Sequence, residues 1–400
     1  MAFTEASIQN RFPAVKNGNQ VFLDNAGGTQ TLDTVVDSVR DYLAGGQVQL
    51  GASYETSQIC SRRYAAAHEA AARFVNASPD EVVFGASATQ LLRNLAATLN
   101  FNKGDEIIVS IIDHEANIAP WLDLARRQDL VIRWWRPKIT YSTGVVDPQL
   151  SSDNLKSLLS VRTRLVALTH VSNILGTVHD VAAITELAHQ YDALVCVDGV
   201  AFAPHRPVDV KELDVDFYVF SWYKIFGPHI ATLYARWSAQ TRMHSLSHFF
   251  NPSSTLDNKL GLAAASYELC QSITHVVDYL NPRVWDAIDD HESQLQAELL
   301  GCLGVKEVTI YGKQVYEKSH LRLPIVSFTA KGWDSKALVE AIEKDSNYGI
   351  RWGSFYSNRL VRDTLRLGEH GVVRISMVHY NTMDEMKGLV ETLDKLLPSL

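Results

Sequence analysis

Cysteine is scarce and dispersed in this chain: four in 400 residues, Cys60, Cys196, Cys270 and Cys302, none in a CxxC spacing. That pattern excludes a disulfide framework and offers no zinc-type ligand set, so no metal is expected and a reducing compartment, the cytoplasm, is the predicted setting. Long apolar runs are missing as well. No stretch reaches the roughly 18 residues of a membrane span, and the opening MAFTEASIQNRFPAV has no apolar segment of the secretory kind, so neither membrane insertion nor export is predicted. There is no run of Lys and Arg, and the formal net charge is -8. A broad basic face for nucleic acid or anionic lipid is therefore excluded, which leaves small molecules as the expected partners. No internal repeat occurs.

What is present is ordinary globular composition, 46% hydrophobic and 20% charged, in a chain long enough for one large and one smaller domain. From about residue 80, β-branched runs alternate with amphipathic stretches, the mark of an α/β fold whose parallel sheet is covered by helices. Strands are predicted at 81–84, 106–111, 131–135, 165–169, 194–197 and 217–220, with 230–234 returning antiparallel at an edge. Helices are predicted over 89–99, 121–127, 149–160 and 181–191, where apolar residues recur at three and four spacing. The polar segment 249–260, with Pro252, Ser253 and Ser254, reads as a connection before a long helix over 261–279. A smaller C-terminal α+β domain mixes strands at 324–329 and 372–377 with helices at 336–344 and 383–396. The expected division is an N-terminal arm over 1–15, a large domain over 16–258 and a small domain over 259–400.

Ligands of an open parallel sheet sit beyond the carboxyl ends of its strands, so polar residues that close apolar runs have priority. Five places qualify. Gly85-Ala86-Ser87-Ala88-Thr89 leads into a helix whose N-terminus favours an anion, although Ser87 or Thr89 could equally be an ordinary cap. Asp198-Gly199 puts a carboxylate at the mouth of a buried strand, or makes a surface turn. Ser221-Trp222-Tyr223-Lys224 sets one lysine among aromatics, where desolvation would free its amine as a nucleophile, unless its stem merely snorkels outward. Segments 112–117, with His114, and 170–177, with Asn173, each follow a strand and taken alone read as polar loops. One ligand accounts for all five: pyridoxal phosphate needs a lysine, an anion cradle, a carboxylate at its ring nitrogen and a flat group over its face.

The order Ala88-Thr89, His114, Asn173, Asp198 and Ser221-Trp222-Tyr223-Lys224 resembles the class V aminotransferase family, and within it the cysteine-desulfurase-like branch. The likeness runs from Leu23-Asp24-Asn25-Ala26-Gly27 to Val378-His379-Tyr380-Asn381-Thr382. It implies a pyridoxal-phosphate-dependent transferase of fold type I, with a mainly parallel seven-stranded sheet in the large domain, acting on an amino acid as a homodimer with the active site at the subunit interface. By motif, Lys224 would bind the cofactor aldehyde, Asp198 would pair with the ring nitrogen and His114 would stack on the ring. Ala88, Thr89, Ser221 and Tyr223 would hold the phosphate, with Thr255 supplied by the second subunit. Asn173 would sit near the ring hydroxyl or the substrate carboxylate. Arg374, assisted by Arg351, would grip that carboxylate, and Asn25, Ala26, Gly27 and Tyr356 would complete the substrate side.

Two departures from the family pattern bear on the reaction. Desulfurases carry a loop Arg-x-Gly-x-x-Cys; here Arg351-Trp352-Gly353-Ser354-Phe355-Tyr356 ends in tyrosine, and a phenol cannot carry a persulfide. Where relatives place Gln or His three residues after the aspartate, this chain has Ala201. The segment 197–207, with Trp352, Phe355 and Tyr356, is similar to fungal secondary-metabolism members of the branch, that of loline alkaloid biosynthesis among them. This resemblance implies a substrate α-carbanion captured by an imine or iminium, a Mannich-type cyclisation. Alternatives are a carbon-sulfur or other β/γ-lyase, an aminotransferase or racemase, and a non-catalytic binding protein of the same fold.

Overall fold

The computed structural model describes residues 4–251, 253–315 and 320–399; Pro252 and the first three residues of the expected N-terminal arm lie outside them. Seven strands make the main sheet, in the order Val82–Gly85, Ala231–Ala235, Phe217–Ser221, Leu194–Asp198, Thr163–Thr169, Glu106–Ser110, Val131–Trp135. All run parallel except Ala231–Ala235, which is antiparallel to both neighbours. That strand was expected at an edge. It lies second from it, because Val82–Gly85 pairs on its outer side. Leu194–Asp198 and Phe217–Ser221 are buried throughout, since helices on both faces leave no solvent side, and such strands read as unbroken apolar runs. Separate apolar layers cover the two faces: Leu91, Leu92, Leu95 and Trp121 belong to one, Val166, Val195, Phe220 and Trp222 to the other. This is a mainly parallel seven-stranded α/β sheet, as the resemblance implies.

A second, six-stranded sheet has the order Arg351–Gly353, Val372–Ser376, Ile325–Ala330, Val308–Tyr311, Val145–Gln149, Lys138–Ser142. Its pairs are antiparallel except for the parallel pair of Val308–Tyr311 with Val145–Gln149. Helices Pro282–Leu303, Ser335–Lys344 and Met383–Leu396 pack on it through Leu295, Leu299, Leu338, Met386 and Leu389. Two of its strands thus come from inside the span read as the large domain, and helix Tyr267–Tyr279 packs on helices Asp33–Gly45 and Glu55–Phe74. The helix expected over 149–160 is replaced by a strand ending at Gln149 and one helical turn, Ser152–Lys156, capped by Ser151. Val145 and Val146 find partners in Ile310 and Tyr311, and Pro148 lies beyond that ladder. The helix expected from 261 begins at Tyr267.

The N-terminal segment straps the two sheets together. Phe12 is fully buried against Phe226 and Tyr380. Val21–Phe22 pairs in parallel with Tyr348–Gly349, and Leu23 O accepts from Ser376 N at 2.7 Å. This strap brings Asp24 to the carboxyl ends of the main strands.

Candidate active site

Each polar side chain at those strand ends is placed by the element before it. Beyond Val82–Gly85, Ser87 caps helix Ala88–Thr98 by accepting from Gln90 N at 3.1 Å. The N–H groups of Ala88 and Thr89 find no acceptor among the described residues, so the helix N-terminus presents two free donors and its positive end. Beyond Leu194–Asp198, the Asp198 carboxylate is 6% exposed and accepts from Val200 N at 2.9 Å. Burial raises its pKa, while that hydrogen bond and Lys224 oppose the rise. Gly199 has to be glycine, since a Cβ there would stand 2.1 Å from the Tyr218 ring.

Phe217–Ser221 runs into a turn, Trp222–Lys224, anchored by Trp222 Nε1 donating to Thr232 Oγ1 at 2.8 Å. Lys224 is buried, and its Nζ has no hydrogen bond or ion pair among the described residues; it stands 5.9 Å from the centre of the Tyr223 ring. Burial first, then Arg374, lowers its pKa to about 8, against Asp198 and Asp24. A far larger share of the amine is therefore neutral near pH 7 than for an exposed lysine. His114 follows Glu106–Ser110, and its Nδ1 accepts from Ala116 N at 3.1 Å. Burial, with Lys224 and Arg374, lowers its pKa to about 4, so the ring is neutral at pH 7.

Ala88, Thr89, His114, Asn173, Asp198, Ser221, Tyr223 and Lys224 line one cavity of about 510 Å³, its mouth included; Ala201 lines it with a methyl group only. The remaining residues singled out from the sequence lie apart from that lining. Thr255 caps the turn Leu256–Leu260, accepting from Asn258 N at 3.0 Å. Asn25 uses its amide within the fold: Nδ2 reaches Phe22 O, Ser376 O and Asn381 Oδ1, and Oδ1 accepts from the Tyr380 hydroxyl. Ala26 N donates to Ser376 Oγ, and Gly27 N to Asp24 O. Arg374 is 1% exposed, donating to Asp24 Oδ1 at 2.6 Å and to Asn173 O at 3.1 Å, with its guanidinium 3.8 Å from the Phe355 ring centre. Arg351 is exposed, 3.6 Å from the other oxygen of Asp24.

Between these arginines and His114 runs a strained loop. Phe355 and Tyr356 both have left-handed backbones, φ 47° and 59°. Asn173 Nδ2 holds Phe355 O at 3.0 Å, Ser357 Oγ donates to Asn173 Oδ1 at 2.9 Å, and Glu115 N donates to Tyr356 O at 2.8 Å. Arg359 pairs with Glu115 at 3.3 Å. Tyr356 itself is 73% exposed, its ring 5.3 Å from that of His114. Asp24, Glu115 and Arg359 were not singled out from the sequence; the only sign was a carboxylate opening the Asp24-Asn25-Ala26-Gly27 run.

A buried lysine and helix N-terminal N–H donors without partners among the described residues, a buried carboxylate and a neutral ring fit pyridoxal phosphate, and the protein is a pyridoxal phosphate enzyme of fold type I. The family profile "Aminotransferase class-V" matches residues 21–389. "Aminotransferase-like protein FGM3" of Gibberella zeae is 48% identical over 99% of both chains. "Cysteine desulfurase-like protein ustD" of Aspergillus flavus is 38% identical over 98% of this chain and 90% of its own. Among solved structures, the cysteine desulfurase CsdA of Escherichia coli superposes with a TM-score of 0.84 at 25% identity, covering 99% of this chain and all of that one. The chain belongs to the class V aminotransferase family. Among the described residues, no helix is long and apolar enough to cross a membrane.

Proposed function

We propose that this protein is a cytosolic, homodimeric enzyme of secondary metabolism that makes a carbon-carbon bond at the α-carbon of an amino acid, by Mannich-type cyclisation. Pyridoxal phosphate, when bound, supplies a sink for negative charge developing at that carbon. Lys224 Nζ would hold the cofactor and, when free, would take the α-proton; its lowered pKa suits it to a base near neutral pH. Asp198 would keep a proton on the ring nitrogen, and the neutral His114 would face the ring from the same cavity. The free N–H groups of Ala88 and Thr89, with the hydroxyls of Ser221 and Tyr223, hold the phosphate, joined by Thr255 from a second subunit. Arg374 receives the substrate carboxylate. Asn173 positions that arginine through its carbonyl and the loop through its amide.

The observation that carries the reaction class is Tyr356, on the strained loop beside His114 where a desulfurase needs a thiol. Cys60, Cys196 and Cys270 are buried elsewhere, and Cys302 lies against Asp394 on another helix. With no acceptor for sulfur, the aromatic loop serves instead to exclude water from the reacting carbon. The test is to incubate the holoenzyme with a panel of amino acids in heavy water. Deuterium at the α-carbon of one of them, and a ring-closed product when an imine is offered, are expected. Rapid pyruvate or alanine with sulfur release from L-cysteine, cystine or cysteine sulfinate would establish a lyase in its place.

A further inference from the structure

We propose that Asp24 is a resident carboxylate that keeps the substrate's place on Arg374, that the substrate enters by exchanging with it, and that Arg351 receives the displaced side chain. The inference rests on the reading of Arg374 as the substrate-carboxylate residue.

A guanidinium at 1% exposure needs a counter-charge whether or not substrate is bound, because an unpaired buried cation is strongly destabilising. Asp24 supplies it, but through one bond only: NH2 of Arg374 to Oδ1, at 2.6 Å. Nε of Arg374 is buried with no hydrogen-bond partner among the described residues. A substrate carboxylate that takes Nε and NH2 together makes the two parallel bonds that Asp24 does not, so it is the better ligand for the same charge. Asp24 is free to leave, since its side chain is 29% exposed and its second oxygen already lies 3.6 Å from Arg351, whose side chain is 57% exposed. Gly27 keeps the carboxylate's space open: a Cβ there would stand 2.9 Å from Asp24 Oδ2.

The exchange also protects the amine that reacts. The charged groups acting on Lys224 are Arg374, which lowers its pKa, and Asp198 and Asp24, which raise it. A carboxylate that replaces Asp24 on Arg374 keeps that cation paired, so Arg374 does not act on Lys224 unopposed. An amine without a carboxylate brings no replacement, so Asp24 stays and the site selects for amino acids.

The test uses the holoenzyme and two probes read by visible absorbance: 2-aminoisobutyrate, which has a carboxylate but no α-hydrogen, and isopropylamine, the same amine with hydrogen in place of the carboxylate. Asp24→Asn should bind 2-aminoisobutyrate about tenfold more tightly, the loss of one competing ion pair, with isopropylamine unchanged. Unchanged or weaker binding of 2-aminoisobutyrate by that variant overturns the proposal. Arg351→Ala, at an exposed position, should weaken 2-aminoisobutyrate several-fold in the wild-type background and leave it unchanged in the Asp24→Asn background. Equal weakening in both backgrounds means that Arg351 touches the ligand itself, and overturns the exchange. A holoenzyme that responds to neither amine accepts no such ligand on Arg374, and removes the reading of Arg374 as the substrate-carboxylate residue and this inference with it. A response to both, with affinities indifferent to Asp24, removes this inference alone.

Discussion

Lys224 is made reactive by what surrounds it and what does not: it is buried, it has no bonded partner among the described residues, and a buried arginine acts on it. The neutral amine is the form that captures an aldehyde, so the rate at which apoprotein takes up pyridoxal phosphate should climb with pH and level off above about 8. Stopped-flow absorbance measures it, and a midpoint near the ordinary lysine value would show that burial does not act as described. Lys224→Ala should abolish turnover, and borohydride should no longer fix cofactor to the chain, as read by intact mass. Lys224 and Asp198 were legible in the sequence because each interrupts or closes an apolar run where a polar group has a cost to explain. Asp24 was not, since its partner Arg374 stands 350 positions away and only the folded strap joins them.

At the scale of elements, the main strands were legible wherever both faces are covered, as in Leu194–Asp198 and Phe217–Ser221. Lys138–Ser142 was not, because it is largely exposed and its place depends on pairing with Val145–Gln149 and through it with Val308–Tyr311. Helix Glu55–Phe74 escaped notice because its buried face is built largely of Ala67, Ala70, Ala71 and Ala72, too small to mark a periodicity. The junction of strand and turn at Gly199 has no slack, so Gly199→Ala should destabilise the fold by about 1–3 kcal/mol, read as a lowered denaturation midpoint with cofactor weakened in parallel. Where the loop is latched, Arg359→Ala removes a pair whose side chains are 33% and 37% exposed. Its stability cost should stay within about 1 kcal/mol. Hydrogen exchange at 353–358 should nevertheless quicken, because that pair ties the loop to the residue beside His114.

For the whole molecule, the site gathers residues from Asp24 to Arg374, nearly the full length of the chain, and the proposed Thr255 contribution extends it to a second copy. Mixing Lys224→Ala with Thr255→Ala subunits should then recover part of the activity that each lacks alone, since a mixed pair holds one complete site. No recovery after subunit exchange, verified by mass, would return Thr255 to its role as a helix cap. The crossing strands of the second sheet bear on how the molecule can be divided. The chain leaves the main sheet at Trp135, lays down Lys138–Ser142 and Val145–Gln149, and re-enters at Thr163. Any fragment ending near residue 258 keeps that hairpin but forfeits Val308–Tyr311, the strand it leans on. Such a fragment carries an orphaned ribbon with its amides bared to the next molecule, so expression of that N-terminal piece alone should end in precipitate, and co-expression with the remainder is the way to keep it in solution.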